Sequence, residues 1–372
     1  MNKTTRAAIV RGPGRPWEIA DLELDEPKAH EVRIRFMAAG LCHSDDHLRT
    51  GDMPVRFPMV GGHEGAGIIE AVGPGVSRVA VGDHVVCSFI PVCGVCRYCS
   101  TGHQNLCAQA TNGSTGMFSD GGFRFHAGGE DLGGLCVLGT FSQYAVIPEW
   151  SCVVIDDDVP FDVAALLGCG VPTGWGSAVY AAGVRAGETV VIYGVGGVGC
   201  NAVQGARYAG AKNVIAVDPV PFKLEMAKVF GATHTFTDAQ AAHGFVVDAT
   251  LGQLADHSVI TMGVLSQDVV GKAIQIVGKT GTVTITSMGK IKELAVPVHA
   301  GLLVGYERQI HGTLLGSCNP LHDIPRLVGL YRSGDLKLDE LITARYALDE
   351  INQAYRDMLD GNNIRGVILH EH

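Results

Sequence analysis

The sequence predicts an α/β protein of two unlike parts: a β-barrel with irregular loops, then a doubly wound parallel sheet. Three observations carry this. Over residues 1–150, short β-branched runs alternate with glycine and proline turns. After about Cys169, strands alternate with helical stretches, as βαβ units on a parallel sheet do. The 372 residues are also ample for two domains with separate cores.

The elements follow in chain order. Val32–Phe36, Gly67–Val72 and His84–Ser88 read as strands, with turn signals at Gly73–Pro74–Gly75 and Gly82–Asp83. Val163 to Val184 carries no charge, but Cys169, Pro172 and several glycines interrupt it. It reads as buried helix and turns, not as a membrane span. Thr189–Tyr193 is an apolar strand, followed by a glycine turn and a helix to Ala209. Val214–Val217 is a second strand, followed by a helix through Phe230, and Gly281–Thr286 is a later strand. Amphipathic helices are expected near Ile324–Ser333 and Glu350–Asp360, with a last strand at Arg365–Leu369.

Composition narrows the function. Apolar residues make up 47% and charged residues 18%, which excludes a disordered or fibrous chain. Lys and Arg number 28 against 38 Asp and Glu, a net charge of −10. With no basic tract, nucleic acid and anionic membrane are poor partners. The 11 cysteines are an odd number, and the first residues carry no secretion-signal pattern. Reduced thiols in the cytoplasm, used for metal or catalysis, are therefore expected.

Gly194–Val195–Gly196–Gly197–Val198–Gly199 has the form G-x-G-x-x-G. It follows a strand and opens a helix, and Asp218 ends the next strand 19 residues past the last glycine. That context points to a dinucleotide site. Gly194 makes the tight turn, Gly196 admits the pyrophosphate, and Gly199 lets helix and strand approach. The helix N-terminus favours the phosphates. A carboxylate at Asp218 accepts bonds from ribose hydroxyls and repels a 2′-phosphate, so NAD is favoured over NADP, although Lys223 is close by.

Cys93-x2-Cys96-x2-Cys99-x7-Cys107 places four thiolates in one short lobe. This suits a closed structural zinc site. An iron–sulfur cluster is the alternative, but its usual run has three residues before the last cysteine and then proline. Here there are seven, and Ala108 follows.

Cys42, His63 and Cys169 share no spacing rule. Cys42 lies in a polar cluster with His43, Ser44, Asp45, Asp46 and His47; His63 lies in Gly61-Gly62-His63-Glu64-Gly65; glycines flank Cys169. Two cysteines, one histidine and a water make a known catalytic zinc arrangement.

Gly62-His63-Glu64-x2-Gly67-x5-Gly73-x2-Val76 resembles the signature of zinc-containing alcohol dehydrogenases of the medium-chain dehydrogenase/reductase superfamily. The cysteine lobe, the glycine turn and the domain order fit the same family across essentially the whole chain. Gly113–Tyr144 and Gly312–Thr343 are most similar to actinobacterial nicotinoproteins. Those enzymes hold NAD(H) tightly, are assayed with N,N-dimethyl-4-nitrosoaniline, and are linked to the redox peptide mycofactocin.

The resemblance implies a GroES-like catalytic domain over residues 1–170, completed by 315–372, and a Rossmann NAD-binding domain over 171–314. It implies two zinc ions per chain and a small-molecule alcohol or aldehyde as substrate. Cys42, His63 and Cys169 look like the catalytic zinc ligands. Glu64 resembles the acid that approaches the metal, and Asp45 the partner that orients His63. Ser44 resembles the first proton acceptor, with His47 as the outlet of a relay that also uses the nicotinamide ribose. Thr173 and Arg365 resemble cofactor contacts, and Phe89 a wall of the substrate pocket. His43 stands where arginine often binds pyrophosphate, which makes that contact weaker and pH-dependent. Family precedent favours a homo-oligomer formed through the cofactor domain near Val296–Gln309. Cys87, Cys136, Cys152, Cys200 and Cys318 have no assigned role beyond core packing. Two other readings stay open: a formaldehyde dehydrogenase acting on a thiol adduct, and a non-catalytic binding protein on the same fold.

Overall fold

The computed structural model describes residues 3–289 and 298–372. The chain divides into two compact units. One comprises Met1–Cys169, Asn319–Leu330 and Leu338–His372; the other comprises Gly170–Cys318 and Tyr331–Lys337.

In the first unit, β1 (Lys3–Val10), β2 (Glu18–Leu24), β3 (Glu31–Gly40), β4 (Met59–Val60) and β5 (Gly65–Val72) precede β6 (His84–Cys87). Then follow β7 (Phe125–Ala127), β8 (Glu130–Gly134), β9 (Tyr144–Pro148) and β10 (Cys152–Ile155). Strands β1, β2, β7, β8 and β4 close a barrel. Strand β3 is the hub of the second sheet, pairing with β5, β9 and the late strand Arg365–Leu369, and its sequence alternates. Val32, Ile34 and Phe36 are buried, while Arg33, Arg35 and Met37 are half-exposed. β3 pairs antiparallel with β5 and with β9. Phe36, Ile69, Leu22, Leu132 and Ile147 share the core.

In the second unit, β11 (Thr189–Tyr193), β12 (Asn213–Val217), β13 (His234–Phe236), β14 (Ala255–Ile260), β15 (Val277–Ile285) and β16 (Gln309–Gly312) form one sheet in the order β13-β12-β11-β14-β15-β16. Every pairing is parallel. This is the doubly wound order, with its switch point between β11 and β14. The residues of β11 and β12 are all buried, as expected of central parallel strands covered on both faces.

The chain ends in the first unit with β17 (Ile342–Ala347) and β18 (Arg365–Leu369). β18 pairs with β3 and so completes the sheet. Between them, helix Ile351–Leu359 buries Ile351, Ala354, Tyr355 and Met358, one face at helical spacing. The other late helix runs Pro320–Arg332. The charge-free stretch is mostly buried helix: Phe161–Leu166, then Gly170–Gly176, which passes into a π-helical turn at Ser177–Ala182 where Tyr180 is exposed. No helix among the described residues is long and apolar enough to cross a membrane.

Candidate metal centres and active site

Cys42 follows β3 and is the N-cap of helix His43–Thr50. Asp45 and Asp46 in the first turn suit the helix dipole, and Gly51 ends the helix at φ +82°. His63 lies between β4 and β5, and Cys169 directly precedes helix Gly170–Gly176. The fold brings one donor atom from each of Cys42, His63, Glu64 and Cys169 to within 4.8 Å of one another.

Glycines make this approach possible. Gly62 has φ +88°, and a Cβ there would meet the Phe141 backbone nitrogen at 2.5 Å. A Cβ at Gly40 would lie 3.0 Å from Arg365 Nη2 and 3.2 Å from Glu64 Cβ.

His63 is 2% exposed. Its Nδ1 lies 3.1 Å from Asp45 Oδ2, and Asp45 Oδ1 accepts the Gly62 N–H at 2.8 Å. His63 Nδ1 thus faces the Asp45 carboxylate, while His63 Nε2 is buried with no partner. An orphaned imidazole nitrogen beside two thiols is the donor set zinc takes. Burial disfavours the charged imidazole, but Asp45 and Cys169 outweigh it and hold the His63 pKa well above the usual range. The Cys42 thiol is held well below its range by a hydrogen bond from Cys169, with further help from His63, against burial. Thiols and an imidazole give up protons when they bind a cation, so metal binding at this cluster would release protons.

Glu64 is fully buried, and burial raises its pKa to about 7 against the opposing charge of Arg365. Arg365 Nη2 donates to Glu64 Oε2. Glu64 Oε1 has no hydrogen-bond partner, and neither has Arg365 Nε. Ser44 Oγ lies 3.7 Å from Cys42 Sγ. His47 stands three residues on along the same helix face, with Nδ1 3.5 Å from Asp52 Oδ2. Phe89 meets the His63 ring edge-on at 5.6 Å.

The four cysteines of the lobe also converge, with all Sγ atoms within 4.8 Å. Cys96 and Cys107 are 4.0 Å apart through sulfur. A zinc tetrahedron with bonds of about 2.3 Å has edges of about 3.8 Å, so the residues fit the ion. Backbone N–H groups of Cys93, Cys96, Cys99 and Ala108 point at sulfurs over 3.4–3.5 Å. Those from Ala108 and Cys99 lower the Cys96 pKa to about 6. Burial pushes Cys107 up to about 12. Arg78 braces the lobe from outside, donating to the Val92 and Cys93 carbonyls.

In the second unit the glycine turn has the shape its sequence predicts. Gly194 sits at φ +85°. Nothing lies within 4 Å of a Cβ built on Gly196. One on Gly199 would strike the Gly194 carbonyl and come within 2.9 Å of Thr261 Oγ1. Gly197 and Val198 open helix Gly197–Tyr208. Asp218 is buried. Its Oδ2 accepts the Val195 N–H at 3.0 Å and its Oδ1 the Val220 N–H at 2.9 Å. The carboxylate thus locks the turn, with lone pairs left for a ligand. Lys223 lies half-buried on helix Pro221–Val229. Thr173 is buried in helix Gly170–Gly176, and its carbonyl accepts from Ser177 Oγ at 2.6 Å.

Sequence reasoning placed Arg365 at the cofactor and gave it no link to Glu64. It also missed Arg78 as the brace of the lobe, and Thr140, whose Oγ1 donates to the Glu64 carbonyl at 3.0 Å. These partners lie far apart in the chain, and no local pattern announces them.

Known proteins match this arrangement along its length. The family model described as alcohol dehydrogenase GroES-like domain covers residues 28–157, and that described as zinc-binding dehydrogenase covers 197–333. The NDMA-dependent alcohol dehydrogenase of Amycolatopsis methanolica is 56% identical over 98% of this chain and 99% of its own. Alcohol dehydrogenase B of Mycobacterium tuberculosis is 46% identical over 98% of each. Among solved structures, a zinc-binding-domain alcohol dehydrogenase from Burkholderia ambifaria superposes with TM-score 0.92 at 33% identity, covering all of both chains. Benzyl alcohol dehydrogenase from Acinetobacter calcoaceticus gives 0.91 at 32%, over 99% of this chain and 100% of its own. With two metal-ligand clusters among the described residues, a dinucleotide turn and this coverage, the chain belongs to the zinc-binding alcohol dehydrogenases of the medium-chain dehydrogenase/reductase superfamily.

Proposed function

We propose that this oxidoreductase converts a primary or secondary alcohol to its carbonyl product, with one zinc at Cys42, His63 and Cys169, a second in the Cys93–Cys107 lobe, and NAD(H) held tightly on the Gly194–Gly199 turn. The observation that carries the reading is the meeting of Cys42, His63 and Cys169, with His63 Nε2 buried and unpartnered. When bound, zinc acidifies an alcohol hydroxyl and the nicotinamide takes the hydride.

The chain's own residues do the rest. Asp45 keeps the proton of His63 on Nδ1, leaving Nε2 free. Ser44 Oγ accepts the hydroxyl proton, and His47 passes it to solvent. Arg365 balances the charge of Glu64 beside the ligand cluster. Phe89 walls the substrate side of His63. Asp218 takes the ribose hydroxyls, and Thr173, Lys223, His43 and Arg365 make further cofactor contacts.

Similarity to an NDMA-dependent enzyme supports the finer reading, that NAD(H) stays bound and an external carrier such as a redox peptide reoxidises it. The surplus of free thiols favours the cytoplasm. Strand β16, at the edge of the sheet among the described residues, favours a homo-oligomer through the second unit. Of the expected contact segment Val296–Gln309, residues 296 and 297 lie outside the described residues.

The test uses protein purified without added cofactor. Denaturation should release near-stoichiometric nicotinamide nucleotide, and the native protein should turn over alcohol with a nitrosoaniline acceptor but not with free NAD. An empty protein that turns over free NAD would overturn the tight-binding reading. Activity only with an added thiol would single out the formaldehyde dehydrogenase.

A further inference from the structure

Two of the cysteines without a role face each other. Cys87 ends β6 and Cys152 begins β10, and the two are register partners in an antiparallel pair. The next pair along, Ser88 and Ser151, is hydrogen-bonded, with the Ser88 N–H on the Ser151 carbonyl at 2.9 Å. Narrow and wide pairs alternate along an antiparallel ladder, so Cys87 and Cys152 form a non-hydrogen-bonded pair. There Cα atoms stand about 4.5 Å apart and side chains approach most closely. That spacing lies inside the range a disulfide spans, roughly 4.4–6.8 Å between Cα atoms. Both side chains point into the same core, at 0% and 2% exposure, and both are free thiols.

The position matters for the site. Cys87 pairs on its other side with Gly65, the residue after Glu64. A Cβ at Gly168, beside Cys169, would sit 2.5 Å from the Cys87 carbonyl. The segment between Cys87 and Cys152 contains the whole four-cysteine lobe. Among the described residues β10 is an edge strand, paired in the sheet with β6 alone.

We propose that Cys87 and Cys152 are a reversible disulfide site, closed by hydrogen peroxide, that clamps the edge strand β10 to β6 and pins the base of the cysteine lobe. In the first step one thiol attacks the peroxide, the O–O bond breaks, a sulfenic acid forms and water leaves. The second thiol then attacks that sulfur, the S–S bond forms and a second water leaves. Two thiols are oxidised, one hydrogen peroxide is reduced, and no other reactant is needed. Burial and the Cys152 thiol raise the Cys87 pKa well above the usual range, so closure is slow and proceeds through local opening of β10.

The test treats zinc-loaded protein with hydrogen peroxide, blocks remaining thiols in denaturant, and maps the non-reduced digest by mass spectrometry. The expected result is a peptide pair joining Cys87 to Cys152, lighter by two hydrogens and cleaved by dithiothreitol. The oxidised protein should also melt several degrees higher than the reduced one, a shift absent in Cys152→Ser. Recovery of both cysteines as alkylated thiols, or links only among Cys93, Cys96, Cys99 and Cys107, would overturn the proposal. The wild-type map decides this even if the variant fails to fold.

Discussion

Replacing Asp45 separates its two jobs. One oxygen holds the Gly62 N–H at 2.8 Å; the other faces His63 Nδ1 at 3.1 Å. Asp45→Asn keeps an acceptor for Gly62 but turns a donor toward Nδ1. Two donors then oppose each other, and the imidazole proton is driven to Nε2, the nitrogen the metal needs. Losing such a partner weakens metal affinity about 10- to 100-fold, or about 1.4–2.7 kcal/mol. Asp45→Ala suffers the same loss and also orphans the buried Gly62 N–H, which costs about 1–3 kcal/mol of folding stability. Zinc affinity by competition with a chelator, with thermal melts alongside, separates the two effects. The asparagine variant should lose zinc while melting close to wild type; the alanine variant should lose both. An asparagine variant that holds zinc as tightly as wild type would refute the role given to Asp45.

Three further outcomes are expected. Gly199→Ala should destabilise the protein by about 1–3 kcal/mol, because its Cβ strikes the Gly194 carbonyl, whereas Gly196→Ala should melt normally and lose bound nucleotide; melts and nucleotide release check both. Arg124 is 1% exposed and bonds Glu31 through Nε at 2.8 Å and Nη2 at 2.5 Å, so Arg124→Ala leaves a buried carboxylate unpaired and should cost about 3–5 kcal/mol in denaturant unfolding. Burial raises the Glu149 pKa, but the Ser77 and Arg78 N–H groups and His30 outweigh it and hold it below the ordinary range. Its stabilisation is therefore whole above about pH 4.3 and is lost as pH falls through the folded value, so Glu149→Gln should flatten the acid limb of a stability–pH curve.

Local chemistry was legible in the sequence, and long-range chemistry was not. The four cysteines and the glycine turn each lie within one short segment, so spacing alone proposes a ligand set or a phosphate cradle. Strands β3, β5, β11 and β12 announce themselves by apolar alternation or by apolar runs. The barrel strands were harder. β1 has a polar start and no clean alternation, and β8 ends in two glycines, so neither carries a periodic signal. Cys42, His63 and Cys169 depend on the ends of β3, the β4–β5 turn and a helix start meeting in space, and only the family resemblance joined them. The Glu64–Arg365 pair spans 301 positions, because β18 returns to lie against β3. Pairings of that kind follow from topology, which no window of sequence contains.

If Cys42, His63 and Cys169 hold the zinc that makes oxidation possible, and the cysteine lobe holds a separate one, the two ions are separable by mutation. Zinc is counted per chain by elemental analysis, with alcohol oxidation measured on the same samples. The wild type should carry two zinc ions, matching the two ligand clusters among the described residues. Cys42→Ala should keep only the lobe zinc and lose turnover while staying folded. A Cys42→Ala protein that keeps both zinc ions and full turnover would show that oxidation does not depend on zinc held by Cys42.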